Sequence, residues 1–292
     1  MKKLFRESLP ETLGGGLLMI IVAALGYFKD LPLFLQAILI LLIILSVVIY
    51  YLLSNFDITE RIGKTFGFIY EDYQMTFEMN LDGGFTCDAK YVVKSLNKLG
   101  SRVELMSLTG NSKFKNMQID LNGGNNKYNV SYELISESKQ LSNCKIKFSP
   151  AIKNGDSVEY SLSYKSKSGF LTTYEDVADQ IQQKVWSLSE PYEFAGIGVK
   201  YPTKKISLTL IFPKGYNIYG TDFWDVRLAD GSERVDEIYE KIKSKSLFTK
   251  YNNQEGQICL TINDENPIIG TKYYLKFQPP GEEERNSLKA NT

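Results

Sequence analysis

Three observations predict the fold class. Positions 9–28 and 31–53 form two apolar blocks with only Lys29 and Asp30 between them. From about position 70 the hydrophobic period changes to two, the period of a strand. Glycine- and asparagine-rich turn signals then separate the alternating stretches. Together they predict an N-terminal two-helix transmembrane hairpin and a mainly β cytosolic region, an antiparallel sandwich or barrel built as two β modules. The expected boundaries are 1–54 for the hairpin, 55–69 for a connector, 70–170 for the first β module, 171–189 for a linker with a short helix, 190–279 for the second β module and 280–292 for a disordered tail.

In the first block, Ser8 and Glu11 form a capping-box pattern and Pro10 falls in the favoured first turn. A helix over this block is ~30 Å long, the thickness of the hydrocarbon layer. Gly14, Gly15 and Gly16 each weaken an isolated helix by ~1 kcal/mol relative to Ala, and in a membrane they let backbones approach closely. They are candidates for helix packing within the hairpin, or for contacts with other helices or a pore axis. The second block, 31–53, carries no charge, and Gln36 and Ser46 are its main polar interruptions. Asp30 can cap it, Pro32 suits its first turn, and Tyr50 and Tyr51 stand at its far end, where aromatic belts lie.

A two-residue loop forces the spans antiparallel, so both flanks lie on one side. Lys2, Lys3, Arg6, Arg61 and Lys64 on the flanks outweigh Lys29 in the loop. The positive-inside rule then places both termini in the cytoplasm, as in a multi-pass membrane protein. Two helices enclose no lumen. A permeabilising assembly therefore needs several copies, and a homo-oligomer of at least four is expected. In the connector, ITERIGK can add helical turns, which Gly63 and Gly67 limit.

The β region opens with YQMTFEMNL, a turn at Asp82-Gly83-Gly84, and FTCDAKYVVKSL. Further alternating stretches lie at 103–108, 114–121, 127–136, 144–149 and 158–165. Val177, Ile181 and Val185 then adopt helical spacing, which marks the linker. The second module begins with EPYEFAGIGVKY and KKISLTLIFP, has a helical stretch at about 233–243, and ends with strands at 258–262 and 272–278. The acidic, proline-bearing tail after Pro279 has the composition of a disordered segment.

Composition narrows the function. Lys plus Arg and Asp plus Glu each number 34, which argues against bulk nucleic acid as the partner. Histidine is absent, which removes histidine bases, Ser-His-Asp triads and histidine metal sites. Cys87, Cys144 and Cys259 are far apart in sequence, with no zinc spacing. There is no Walker or dinucleotide fingerprint. The chain is therefore read as non-enzymatic, with no catalytic residue, metal or cofactor. What remains is local basic clustering beside aromatics, which can hold phosphates and stack bases. The candidate ligand residues are Lys200, Lys204, Lys205 and Arg227 with Tyr192, Tyr201 and Trp224. The competing reading of these cations is a solvated sheet face.

A two-helix hairpin followed by a cytosolic β region resembles bacterial antiphage membrane effectors, those of CBASS and related nucleotide-signalling defence systems. The stretches EPYEFAGIGVKYPTKKISLTLIFPKGYNI and NPIIGTKYYLKFQPP also look like a C-terminal β module common in bacterial defence and signalling proteins. The resemblance implies that the β region senses a nucleotide or short oligonucleotide made by a partner nucleotidyltransferase. It further implies that the hairpins assemble in the lipid bilayer and permeabilise the inner membrane. The alternative is a non-enzymatic membrane-anchored scaffold whose β modules bind a protein partner.

Overall fold

The structure, a computed structural model, describes residues 58–107, 118–137, 141–167, 169–183, 191–228 and 236–290, with Pro32, Phe34, Leu35, Ile38, Leu41, Leu42 and Leu45. The chain divides into two units, Met1–Ile58 and Thr59–Thr292. The first expected span, its Gly14, Gly15 and Gly16, and the loop between the spans lie outside the described residues. Of the second block, Phe34, Leu35, Ile38, Leu41, Leu42 and Leu45 are helical and exposed. Among the described residues no helix is long and apolar enough to cross a membrane.

The second unit is mainly β. Helix α1 (Ile58–Phe66) leads into β1 (Phe68–Met79), β2 (Phe85–Ser95), β3 (Leu99–Ser107), β4 (Gln118–Gly123), β5 (Asn129–Glu137), β6 (Leu141–Ile152) and β7 (Ser157–Ser166). Then come α2 (Tyr174–Gln182), β8 (Glu193–Gly198), β9 (Lys205–Ile211), β10 (Trp224–Leu228), α3 (Asp236–Lys243), β11 (Phe248–Asn252), β12 (Ile258–Glu265), β13 (Thr271–Phe277) and α4 (Glu282–Ala290). A seven-stranded sheet has the order β11-β12-β9-β1-β2-β7-β4, and two three-stranded sheets have the orders β10-β13-β8 and β3-β6-β5.

Local chemistry explains the pieces. Asn80 Oδ1 accepts from the backbone N–H of Asp82 and Gly84, closing the β1–β2 turn. Gly83 within it has φ +79, and a Cβ there would lie 2.1 Å from the Phe170 carbonyl oxygen. Helix α2 is capped by Thr173, whose hydroxyl accepts from Asp176 N–H. Alternate residues of β9, namely Ile206, Leu208 and Leu210, are fully buried, each worth ~1.5–3 kcal/mol relative to exposure.

Two hydrophobic clusters cover one face of the large sheet. Phe77, Cys87, Tyr164, Leu208 and Leu260 pack with Ile197, Val226, Tyr273, Leu275 and Phe277 from β8, β10 and β13. Tyr91, Val93, Val158 and Tyr160 pack with Leu99, Ile146, Phe148 and Ile152 from β3 and β6. Tyr73 and Met75 of β1 touch both clusters. Tyr73, Tyr91 and Tyr160 stand opposite one another across three strands. Their rings stack at centroid distances of 4.6 Å and 4.8 Å.

Two features differ from the sequence expectation. β1 pairs in parallel with β9, so strands from 70–170 and strands from 190–279 share one sheet. Its physical cause is non-local: the apolar alternation of β9 fits between β1 and β12. Residues 282–290, expected as disordered tail, form α4. Leu288 packs against the first cluster, Lys289 pairs with Asp82, and Glu284 accepts from Asn217 at 2.5 Å and from Tyr219 at 2.9 Å.

Candidate functional site

The outer face of the β10-β13-β8 sheet combines cations and aromatics. Strand alternation creates it. In β13, Thr271, Tyr273, Leu275 and Phe277 point into the core, so Lys272, Tyr274 and Lys276 point outward. In β8, Ala195 and Ile197 are inward, which leaves Phe194, Gly196 and Gly198 on the outer face. In register, Gly196 lies beside Tyr274 and Gly198 beside Lys272. On the other side, Asp225 lies beside Tyr274 and Arg227 beside Lys272.

The Tyr274 ring lies against Gly196, where a Cβ would come within 2.9 Å of the ring. Next to it, a Cβ at Gly198 would meet nothing within 4 Å, so this part of the floor is open. Phe194 meets Tyr274 edge to face at 5.5 Å. Lys272 Nζ stands 4.9 Å and the Arg227 guanidinium carbon 5.8 Å from the Tyr274 centroid. Arg227 Nε donates to Asp225 at 3.4 Å. Among the described residues, Lys272 and Lys200 form no ion pair with a carboxylate. Burial and then the Lys200 charge pull the Lys272 ammonium below its usual range.

The face continues to a rim. Lys276 Nζ pairs with Asp222 at 3.0 Å and lies 5.0 Å over the Tyr192 ring. Lys243 Nζ reaches the other Asp222 oxygen at 3.5 Å, donates to the Trp224 carbonyl at 2.9 Å and lies 3.9 Å over the indole. Burial lowers the pKa of Lys243. The arrangement offers a partly desolvated positive field beside an aromatic ring. That suits an anion, above all one with a planar group attached.

The seven sequence candidates do not share one place. Lys200 and Arg227 belong to the outer face, and Tyr192 and Trp224 to its rim, with Trp224 contributing an indole packed in the core. Tyr201 turns the other way. Its ring lies 5.3 Å from Phe68 and 6.2 Å from Phe66, and the buried Arg102 guanidinium sits 5.4 Å from it. Lys204 acts through its backbone, donating to Tyr70 O at 2.8 Å and accepting from Asn266 at 2.7 Å. Lys205 opens β9 on the side opposite Ile206, hence on the far face of the large sheet, beside Glu265 in register.

Sequence reasoning did not single out Lys272, Tyr274, Lys276, Gly196 and Gly198. The signal was available in the alternation of KYYLKF and of EFAGIG, once both are read as neighbouring strands with one face in the core. Among the described residues, no group of three or more Cys, Asp or Glu side chains is placed to hold a metal ion.

No protein-family model matches the chain, and no curated protein matches it. Solved structures give a distant likeness. A putative protease from Parabacteroides distasonis aligns with a TM-score of 0.41 at 8% identity, over 73% of this chain and 41% of that one. An M1 zinc metallopeptidase from Deinococcus radiodurans aligns with a TM-score of 0.36 at 10% identity, over 72% and 42%. A two-domain M1 zinc metallopeptidase mutant bound to L-arginine aligns with a TM-score of 0.38 at 10% identity, over 72% and 42%. The chain spans about two fifths of the length of these solved chains. Likeness at this level says nothing of activity.

Proposed function

We propose that the chain is a non-enzymatic membrane effector of a bacterial antiphage system, anchored in the inner membrane by its N-terminal hairpin. In this reading the cytosolic β region senses a nucleotide or short oligonucleotide at the outer face of β8, β13 and β10. The carrying observation is Lys272, half-buried beside Lys200 and Tyr274, without a carboxylate partner among the described residues. A phosphate placed between Lys272, Lys200 and Arg227 would replace mutual repulsion by shared attraction, and Tyr274 would supply a stacking surface worth ~1–3 kcal/mol for a base. The exposure of the apolar helical residues Phe34, Leu35, Ile38, Leu41, Leu42 and Leu45 supports the membrane half of the reading. A homo-oligomer of at least four hairpins would then form the permeation path.

The test is calorimetric titration of the full chain in detergent with ATP, cyclic di-AMP, cyclic di-GMP and a linear tetra-adenylate. Binding by one of them is expected. It should weaken about 100-fold when Lys272→Glu and Arg227→Glu are combined, since each charge-assisted contact contributes ~1.5–3 kcal/mol. Lys205→Glu, on the far face, should leave it within about threefold. Binding by none of the four, or binding indifferent to the double change, would overturn the ligand-site reading.

A further inference from the structure

We infer that the segment 199–204 couples the cationic outer face to α1, the helix that follows the expected second span. This rests on the reading of that face as a ligand site. The observation behind it is a juxtaposition within two consecutive residues. Val199 is buried and tied to Thr271 and Gly270, so Lys200, the exposed next residue, continues the outward alternation of Gly196 and Gly198, the latter beside Lys272 in register. Tyr201, the next residue, inserts its ring among Phe66, Phe68 and Tyr70, at centroid distances of 6.2, 5.3 and 6.1 Å. Phe66 is the last residue of α1.

Backbone hydrogen bonds bracket this pair. Upstream, Val199 donates to Thr271 O and accepts from Gly270, both at 2.8 Å. Downstream, Tyr70 donates to Pro202 O at 2.9 Å and Lys204 donates to Tyr70 O at 2.8 Å, with Thr203 bridged to Tyr70. The segment is thus tied at one end to β13 and at the other to the start of β1. A shift of Lys200 toward a phosphate shared with Lys272 has to be taken up between these anchors, at Lys200 and Tyr201.

Arg102 makes Tyr201 sensitive to such a shift. Its guanidinium is buried, lies 4.4 Å from the Tyr70 centroid, 5.0 Å from Phe68 and 5.4 Å from Tyr201, and burial pulls its pKa down. A buried cation held among ring faces responds steeply when one ring turns. α1 itself is seated closely on β1, because a Cβ at Gly63 would lie 2.0 Å from Ile69 Cγ2. Packed contacts of this kind shift between discrete arrangements rather than deform smoothly. A turn of the Tyr201 ring therefore reaches Phe66 and the end of α1.

The experiment uses the full chain in detergent. Lys64, exposed on α1, is changed to Cys and labelled with an environment-sensitive dye; Cys87, Cys144 and Cys259 are buried. ATP, cyclic di-AMP, cyclic di-GMP and a linear tetra-adenylate are the probes, with calorimetry in parallel. The emission should shift with the same midpoint as binding. Tyr201→Ala and, from the helix side, the half-exposed Phe66→Ala should bind within about threefold of the parent yet lose most of the emission shift, while Tyr201→Phe keeps it. Binding by the parent without an emission shift, or a full shift in both alanine variants, would overturn the coupling and leave the ligand site standing. Absence of binding of all four probes to the parent would overturn the ligand-site reading and the coupling with it.

Discussion

At the scale of single residues, Glu193 is the most consequential buried charge. Its carboxylate accepts from the Leu171 and Phe194 N–H groups at 2.8 and 2.9 Å, and it is almost wholly buried. Desolvation outweighs those two hydrogen bonds and pushes its pKa from 4.5 to about 7. Between these values the folded chain holds a proton that the unfolded chain has released. Stability is therefore lost as the pH rises from 4.5 through 7, by ~3 kcal/mol in all for this group. Glu193→Gln keeps an acceptor for one of the two N–H groups, turns an amide NH2 toward the other, and removes the titration. Urea unfolding at pH 5 and pH 8 should show a smaller loss across that interval in the variant than in the parent. Equal losses would show that Glu193 is not the titrating group. In the sequence Glu193 reads as an ordinary charge of a solvated strand. Only the strand's alternation, with Ala195 and Ile197 inward, places it in the core.

At the scale of elements, α1 and α4 show where local patterns suffice and where they fail. ITERIGK reads as helical turns in the sequence and forms α1. What the sequence hides is that Gly63, read there as a limit to the helix, is the point of contact with Ile69 and Leu96. Gly63→Ala should destabilise the second unit by ~1–3 kcal/mol in thermal unfolding, because both neighbours must move. An unchanged melting temperature would mean that α1 is not seated on β1 as described. α4 was illegible for another reason. EEERNSLKA has little apolar content, and its contacts are with Asp82, Glu175, Asn217 and Tyr219, all distant in sequence. Its pairs lie at the surface, where an ion pair contributes ~0–1 kcal/mol. Lys289→Ala should therefore cost less than about 1 kcal/mol in the same measurement. β11 escaped detection because FTKYN is short and mostly exposed, an edge strand without an apolar face. The outer face of β8 and β13 was half legible: Lys200 and Arg227 stood out as cations, whereas Lys272 and Tyr274 needed the pairing of two strands far apart in sequence.

At the scale of the whole molecule, the parallel β1–β9 pair decides how the second unit behaves. The sequence suggests two β modules with a helical linker, because every local signal ends near residue 170 and resumes near 190. A parallel pair joining Tyr73 to Ile206 and Phe77 to Leu210 leaves no local mark, since its register comes from packing between distant segments. With β9 central to the large sheet, the two stretches should unfold together. Leu208→Ala, at a site with no exposure, should cost ~2–5 kcal/mol and lower a single transition. Two separable transitions would show that the halves are independent. The same continuity gives the proposed sensor a mechanical sense, because the ligand face, the segment 199–204 and all of α1 after Ile58 belong to one unit, Thr59–Thr292. The central claim is that a ligand on this face controls what the hairpins do in a bilayer. Ion flux through proteoliposomes containing the full chain, measured with and without each of the four nucleotides, tests it most directly. The account predicts that one nucleotide changes the flux at least about tenfold and that the change disappears in the Lys272→Glu, Arg227→Glu double variant. Flux that is the same with and without every nucleotide would contradict it.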